Sequence, residues 1–408
     1  MPTTLTSVAD KMAAIRDFQE DGGLIGRRAE MHSIQVAIAA KLHILLYGSP
    51  GVAKSMTVDG ILKHLPGVRQ FKTQAYKASP PEQFLGPLSI KGMADDRFER
   101  IITNRLADCE VAFVDELSRA PRAVLPAFQG MMVEREFDAG NGIQRVPLMS
   151  LIGAVNHLLE DDAELAAFFD RFTLKLVVKP PPSIDQFTTI LKGAIGRRSN
   201  GEATIPDELI VSAAELMIFQ REVEEVNVPE DVLNALGDLW SNLVGVGITP
   251  SIRRYVDLTK AMQACAALDG RDEVLLDDVQ IAQHSLWTAV SDRDAVYKQV
   301  IKFASEWVQD KATLTEAFAE TVDRLGQVQT LVASGSKASK QVEIAEKTES
   351  IRDHGIAISG SQKTLREQIT KLKGDAQGRD VADLDAILVQ MDATKEWIST
   401  NLLGGLNF

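Results

Sequence analysis

The chain of 408 residues contains only two cysteines, Cys109 and Cys265, so neither a disulfide framework nor a cysteine-rich zinc cluster is on offer. Its six histidines (His32, His43, His64, His157, His284 and His354) are scattered without ligand spacing, which leaves no imidazole metal site. No run approaches the ~20 apolar residues needed to span a bilayer. Met1 to Glu20 carries Asp10, Lys11, Arg16, Asp17 and Glu20 where a signal peptide needs an apolar core. Basic charge is short as well. The 44 Lys and Arg against 57 Asp and Glu give a net charge of −13, which disfavours non-specific contact with nucleic acid or anionic membrane. Proline is missing after Pro250. With 45% hydrophobic and 25% charged residues, the expectation is a cytoplasmic globular protein of two or three domains, without an integral membrane segment.

The run His43-Ile44-Leu45-Leu46-Tyr47 has the length of a buried strand and leads at once into Gly48-Ser49-Pro50-Gly51-Val52-Ala53-Lys54-Ser55. A strand, a Gly-rich turn and a helix opening on Lys-Ser form the setting in which backbone N–H groups and a helix N-terminus cradle phosphates. In that reading Gly48 to Ser55 surround the phosphates, Lys54 reaches the β- and γ-phosphates, and the Ser55 hydroxyl takes Mg²⁺. Ala53 stands where the general pattern has glycine. Alanine accepts helical but not left-handed angles, so the expectation is that Ala53 already lies in the helix.

Further strands are expected at Arg69–Thr73, Glu110–Val114, Leu151–Val155 and Thr173–Val178, alternating with amphipathic helices from Leu24 to Lys179 as in a parallel α/β sheet. Pro180-Pro181-Pro182 marks a boundary. Helices follow at Ile184–Ile195, Asp207–Glu224, Pro229–Val244, Ser251–Leu268 and Leu276–Val290. From Ser291 to Phe408 the pattern is one of long amphipathic helices packed as a hairpin or bundle, broken near Ser334-Gly335-Ser336, Ser359-Gly360-Ser361 and Gly374–Gly378. Trp240, Trp287, Trp307 and Trp397 fall on helices as packing anchors. The expected domains are 1–180, 181–290 and 291–408.

Three more motifs accompany the phosphate loop. Val111-Ala112-Phe113-Val114-Asp115-Glu116 delivers two carboxylates at the end of a buried strand, where open α/β sheets bind ligands. Asp115 holds Mg²⁺ opposite Ser55 in this reading, and Glu116 polarises the water that attacks the γ-phosphate. Leu151 to Val155 ends in Asn156, an amide able to hydrogen-bond that water or the phosphate. Phe168-Phe169-Asp170-Arg171-Phe172 sets an arginine among aromatics just before a strand, poised to reach a neighbouring subunit's nucleotide.

In this order the motifs resemble those of AAA+ ATPases, and more narrowly the MoxR branch and its RavA-like group. Three details carry the narrowing: the Ala-Lys-Ser ending of the loop; Ser79 to Ile90 with Arg97-Phe98-Glu99-Arg100, similar to a hairpin insert in helix 2; and Val133 to Pro147, similar to the hairpin before sensor 1, turning at Gly140-Asn141-Gly142. The resemblance covers roughly Gly23 to Val290. It implies an α/β core of parallel sheet flanked by helices with hairpin inserts, an all-α lid and a C-terminal helical region. Gly48, Gly51, Lys54 and Ser55 match Walker A, Asp115 and Glu116 Walker B, Asn156 sensor 1, and Arg171 the arginine finger. Sensor 2 falls on Arg253 or Arg254, with the spacing to Gly270-Arg271-Asp272 favouring Arg253. Leu24-Ile25-Gly26-Arg27 resembles the segment near the adenine, and Arg119 sits just past Walker B.

What the resemblance implies is an ATPase that binds ATP and Mg²⁺ and forms a homo-oligomeric ring, usually a hexamer, with the finger acting in trans. Its work would be that of a chaperone or remodelling factor for assembly or activation of a protein client or metalloenzyme complex, often beside a von Willebrand A domain partner. A nucleic-acid motor of helicase or loader type, or an ATP-dependent assembly scaffold, are the alternatives. Glu134, Arg135, Glu136 and Asp138 make the sensor 1 hairpin mixed to acidic, which speaks against a nucleic-acid partner.

Overall fold

The computed structural model describes residues 7–157, 163–180, 184–200, 204–335, 341–376 and 381–401. Pro181 and Pro182 of the expected boundary lie outside the described residues, as do Ser336, Gly378 and Phe408. The chain divides into two compact units, Met1–Val300 and Ile301–Phe408.

The first unit is built on five parallel strands: β1 (Ile44–Tyr47), β2 (Gln70–Gln74), β3 (Val111–Asp115), β6 (Ser150–Val155) and β7 (Leu174–Val177), in the spatial order β2-β3-β6-β1-β7. The central strands β1, β3 and β6 are buried on both faces, which is why they read as continuous apolar runs. The remaining strands, β4 (Glu136–Asp138) and β5 (Ile143–Arg145), pair antiparallel around Gly140-Asn141-Gly142 as the expected hairpin. The other insert differs from expectation. Residues 79–100 form two short helices, Pro81–Leu85 and Ile90–Ala94, closed by a single antiparallel bridge between Leu88 and Arg100. Pro80 and Pro81 remove the donors a strand ladder needs there, and Ser89 caps the second helix by accepting from Gly92 N–H at 3.0 Å.

The root of the β4–β5 hairpin is fixed from beneath. Arg135, in left-handed conformation at φ 59°, donates to Leu148 O at 2.5 Å and Lys41 O at 2.8 Å. His43 accepts from Leu151 N–H at 2.9 Å and its other nitrogen lies 3.0 Å from Met132 O. Burial, with the Arg135 charge beside it, pushes the His43 pKa down to about 3, so this histidine is a neutral structural bracket.

Helices Ala213–Glu225, Glu230–Gly245 and Ile252–Leu268 follow the sheet, the first with a capping box between Ser212 and Glu215. The expected helix Leu276–Val290 is instead a 3₁₀ stretch, Leu276–His284. It ends there because the Ser285 and Trp287 carbonyls turn away from a helical ladder to accept from Arg254. Trp287 is fully buried, as a packing anchor should be, whereas Trp240 is half exposed.

The second unit contains three helices among the described residues: Glu306–Gly335, Gln341–Gly374 and Ala382–Asn401. Two apolar clusters hold it, one centred on Phe318, Ile369, Leu384 and Met391, the other on Val328, Ile358 and Ile398. The middle helix runs unbroken through Ser359-Gly360-Ser361, where the sequence pattern predicted a break. A mid-helix glycine costs only ~1 kcal/mol, and burial of the flanking Ile358 and Leu365 outweighs it.

Candidate functional site

Parallel register brings three strand ends together. Tyr47 pairs with Val155 and Val114 with Gly153, so Gly48, Asp115 and Asn156 leave the sheet along one edge. This is the carboxyl edge, where ligands of open α/β sheets sit.

The loop from Gly48 to Ala53 starts with its first amide donating to Val155 O at 3.1 Å. A Cβ at Gly48 would stand 2.4 Å from Val178 O, so no side chain fits there. Gly51 follows at φ 84°, and the helix Lys54–Leu62 opens at once. Ala53 departs from expectation. It is the residue before the helix, at φ 67° and ψ 22°, left-handed and not helical. The loop has to reverse at this point to aim successive N–H groups inward, and the turn is imposed at a cost of ~1–2 kcal/mol on an L-residue.

Lys54 is 6% exposed. Its ammonium donates to Gly48 O at 2.6 Å, Ser49 O at 3.1 Å and Asn156 Oδ1 at 2.8 Å. Burial lowers its pKa, and the Asp115 and Glu116 carboxylates oppose that shift. The Ser55 hydroxyl donates to Asp115 Oδ2 at 2.7 Å, while Asp115 Oδ1 accepts from Glu116 N–H at 2.9 Å. Glu116 itself is left-handed, at φ 53°. Its carboxylate accepts from Asn156 Nδ2 and lies 3.3 Å from Arg119 Nε. Lys54, Asn156, Glu116 and Arg119 thus form one polar string, with Ser55 and Asp115 beside it. Arg119, which the sequence marked only by its place past the carboxylates, is the string's exposed end at 56%. Two strained non-glycine residues in one site, Ala53 and Glu116, are what functional constraint on backbone produces.

The hydroxyl of Ser55 and the carboxylate of Asp115 are hard oxygen donors of the kind Mg²⁺ takes alongside phosphate and water. Among the described residues no group of three or more His, Cys, Asp or Glu could hold a metal ion by itself, so a nucleotide-borne Mg²⁺ fits this donor pair better than a protein cage.

Arg171 lies outside the string. Its turn is locked by Phe168, Phe169 and Phe172, whose ring centroids are 5.6–6.3 Å apart. The guanidinium is 31% exposed and sits 3.6 Å from Asp170 Oδ2. The other oxygen of Asp170 accepts from Arg254 Nη2. Arg254 is 3% exposed and also donates from Nη1 to Ser285 O at 3.3 Å, Trp287 O at 3.0 Å and Thr288 Oγ1 at 3.4 Å. Arg253 is exposed and makes no hydrogen bond or ion pair among the described residues; the structure does not bring it to the Lys54–Asn156 string. Arg27 is buried, donating to Lys179 O at 2.7 Å and pairing with Glu30 at 3.2 Å.

The helix phase separates the two neighbouring arginines. Arg254 shares its face with Leu258, Ala261 and Cys265, all buried, and a cation on an apolar stripe needs a buried partner. Lys175 on β7 is 4% exposed, with its Nζ 3.4 Å from Trp287 O and 5.5 Å from the Trp287 ring centroid. Burial, reinforced by the Arg254 charge, lowers its pKa to about 7 against the pull of Asp170.

Comparison with known proteins agrees with this geometry. Residues 12–220, just over half of the chain, match the family described as the MoxR domain in the MoxR-vWA-beta-propeller ternary systems, and residues 231–300 match an AAA lid domain. The uncharacterized protein MJ0079 of Methanocaldococcus jannaschii is 27% identical over 97% of this chain and 98% of its own length. Protein MoxR of Paracoccus denitrificans is 24% identical over 67% of this chain and 87% of its own, and chaperone MoxR1 of Mycobacterium tuberculosis 24% identical over 63% and 69%. A crystal structure of a candidate ATPase from Cytophaga hutchinsonii covers 72% of this chain and 97% of its own at TM-score 0.54 and 17% identity, a likeness of fold alone. Among the described residues no helix is long and apolar enough to cross a membrane. The chain belongs to the MoxR family of AAA+ ATPases, its α/β core followed by an AAA lid.

Proposed function

We propose that this protein is a cytoplasmic, ring-forming, Mg²⁺-dependent ATPase of hexameric type that drives the remodelling or assembly of a partner protein. The observation that carries the reading is the polar string Lys54–Asn156–Glu116–Arg119 at the carboxyl edge of the sheet, with Ser55 on Asp115 beside it. The loop from Gly48 to Ser55 cradles the phosphates of ATP with its amides other than that of Gly48, which the sheet holds, and Pro50, which has none, and the Lys54 ammonium exchanges its carbonyl partners for β- and γ-phosphate oxygens. Ser55 and Asp115 hold Mg²⁺, which when bound neutralises phosphate charge and polarises the γ-phosphoryl group. Glu116 accepts a proton from the attacking water, and Asn156, in contact with both Glu116 and Lys54, keeps the carboxylate and the ammonium in register. Arg171, at the rim and loosely held, stabilises the transition state at the nucleotide of the next subunit. Arg253, exposed in the first turn of its helix, is the lid arginine able to meet a phosphate when the lid closes.

Protein remodelling is favoured by the relatives named MoxR and chaperone MoxR1, and a von Willebrand A partner by the family's description. The nucleic-acid motor loses further ground because, of the hairpin's two arginines, Arg135 is turned inward onto Lys41 O and Leu148 O, leaving Arg145 outward with Glu134 and Asp138.

The test combines two variants. Lys54→Ala abolishes binding of a fluorescent ATP analogue, whereas Glu116→Gln binds it with normal affinity but releases no phosphate. Normal binding by the lysine variant, or turnover by the glutamine variant, defeats the reading.

A further inference from the structure

We propose that Arg254 is a positioning residue for the neighbouring subunit's reaction: by claiming the Asp170 carboxylate from the lid, it leaves Arg171 free to act in trans. The proposal rests on the ATPase reading above and gives the lid a part beyond its own nucleotide.

Asp170 has two suitors. One oxygen is taken by Arg254, which is buried and held in place by three further acceptors in the 285–288 segment. The other meets Arg171 only at 3.6 Å, on a guanidinium nearly a third exposed. The backbone between them cannot absorb a change, because Arg171 N–H and Phe172 N–H donate to Phe168 O and Phe169 O at 3.1 Å each within the aromatic cluster. The carboxylate charge is therefore the adjustable element. While Arg254 holds it, Arg171 is bound weakly and can leave for a phosphate. If Arg254 withdraws, Arg171 is the one remaining ion-pair partner of that carboxylate among the described residues, with Lys175 acting only through space, and the pair tightens within its own subunit.

Arg254 and its acceptors belong to the lid. The arginine stands in the first turn of Ile252–Leu268, and its acceptors Ser285, Trp287 and Thr288 follow the 3₁₀ stretch, all inside the matched lid region. On the core side the seam rests on β7, where Lys175 reaches the same Trp287 carbonyl that Arg254 uses. The seam is imperfectly satisfied. Arg254 Nε, Ser285 Oγ and Trp287 Nε1 are buried without hydrogen-bond partners, so opening it restores solvation that closure withholds. In this proposal the junction has two arrangements. In one, Asp170 belongs to the lid; in the other, it belongs to Arg171.

The test uses the full-length protein and follows turnover, KM for ATP and mixed-subunit rescue. Arg254→Gln lowers kcat by at least about tenfold, part of the large effect an arginine finger carries, with KM for ATP little changed. Adding Glu116→Gln subunits, which hydrolyse nothing but retain a functional finger, restores turnover at Arg254→Gln sites. The double variant Asp170→Asn with Arg254→Gln removes both charges, so it avoids a stranded ion and regains most of the wild-type kcat. Persistent loss in the double variant shows that Arg254 serves its own nucleotide and overturns the link, as does failure of the mixture to recover. The double variant decides the question even if Arg254→Gln alone does not fold. Arg171→Ala separates the two levels. If it is inactive while Arg254→Gln turns over normally, only the link fails; if Arg171→Ala itself keeps full turnover, the trans-arginine reading fails and the link with it.

Discussion

The molecule contains two polar networks built from the same side-chain types in different surroundings. At the sheet edge, Lys54, Asn156, Glu116 and Arg119 form a string that runs from a buried ammonium to an exposed guanidinium. At the lid seam, Asp170 sits among Arg171, Arg254 and Lys175, three cations around one carboxylate, with two of the cations almost completely buried. The first network opens toward solvent and can exchange partners with a ligand at low cost. The second is desolvated and short of anion, so it stores electrostatic free energy that depends on how the elements around it are placed. The sheet edge is fitted for chemistry and the seam for communication.

The strongest way to break that contrast is to cut one ion pair in each network. Arg254→Gln strands Asp170 beside Lys175 and removes four hydrogen bonds, and a loss of about 3 kcal/mol is expected, near the low end for a buried pair because Asp170 is a third exposed. Arg119→Ala removes a contact to Glu116 from a side chain more than half exposed, and the loss stays below about 1 kcal/mol. Urea unfolding of the two variants measures the difference. Equal losses would show that the two environments are not distinct.

A smaller effect separates the networks by pH. Lys175 has its folded pKa lowered to about 7 from 10.5, chiefly by burial. Below pH 7 both folded and unfolded chains carry the proton and the full penalty of a buried charge is present. Between about 7 and 10.5 the unfolded chain binds the proton that the folded chain has released, so stability rises with pH across that window and levels off above it. Lys175→Met, an apolar replacement of similar length, is expected to be the more stable at pH 7, and to lose that advantage as pH rises toward 10 by up to about 1.4 kcal/mol per pH unit. Thermal melts at several pH values check this, and a pH-independent difference would remove Lys175 from the seam's electrostatics.

The two networks also differ in how far the chain's letters reveal them. Asp115, Glu116 and Asn156 lie at or one residue past the end of an apolar strand, and Lys54 and Ser55 open the helix that follows the glycine-rich loop leaving another. Parallel pairing of those strands makes sequence order into spatial adjacency, so the edge was readable from strand ends alone. The seam joins Arg254 to Asp170 across 84 residues, and only helical phase distinguishes Arg254 from Arg253. Spacing to Gly270 favours Arg253 for the separate role of sensor 2, whereas the buried stripe Arg254, Leu258, Ala261 and Cys265 marks Arg254 as the arginine that faces the seam. That stripe was the available signal. The inserted segment 79–100 was misread because the resemblance to a hairpin outweighed its paired prolines, whereas at Ser359–Ser361 a local breaker was given more weight than the tertiary contacts that overrule it.

Ala53 belongs to the sheet edge yet was the one part of it read wrongly, and a single methyl group decides between the two accounts. A helical Ala53 makes Ala53→Gly destabilising by ~1 kcal/mol, the ordinary cost of glycine in a helix. At φ 67° the sign reverses. The Ala53 carbonyl is held by both the amide and the hydroxyl of Thr57, each at 2.9 Å, so the backbone cannot relax away from the left-handed turn. Removing Cβ relieves a strain of ~1–2 kcal/mol, and the greater freedom of glycine in the unfolded chain returns about half of it. The expected outcome is a stabilisation of up to about 1 kcal/mol with ATP affinity unchanged, read from the urea midpoint and from nucleotide titration. A loss of stability would return Ala53 to the helix; a gain accompanied by weaker ATP binding would mean that the strained turn itself aims the loop's amides.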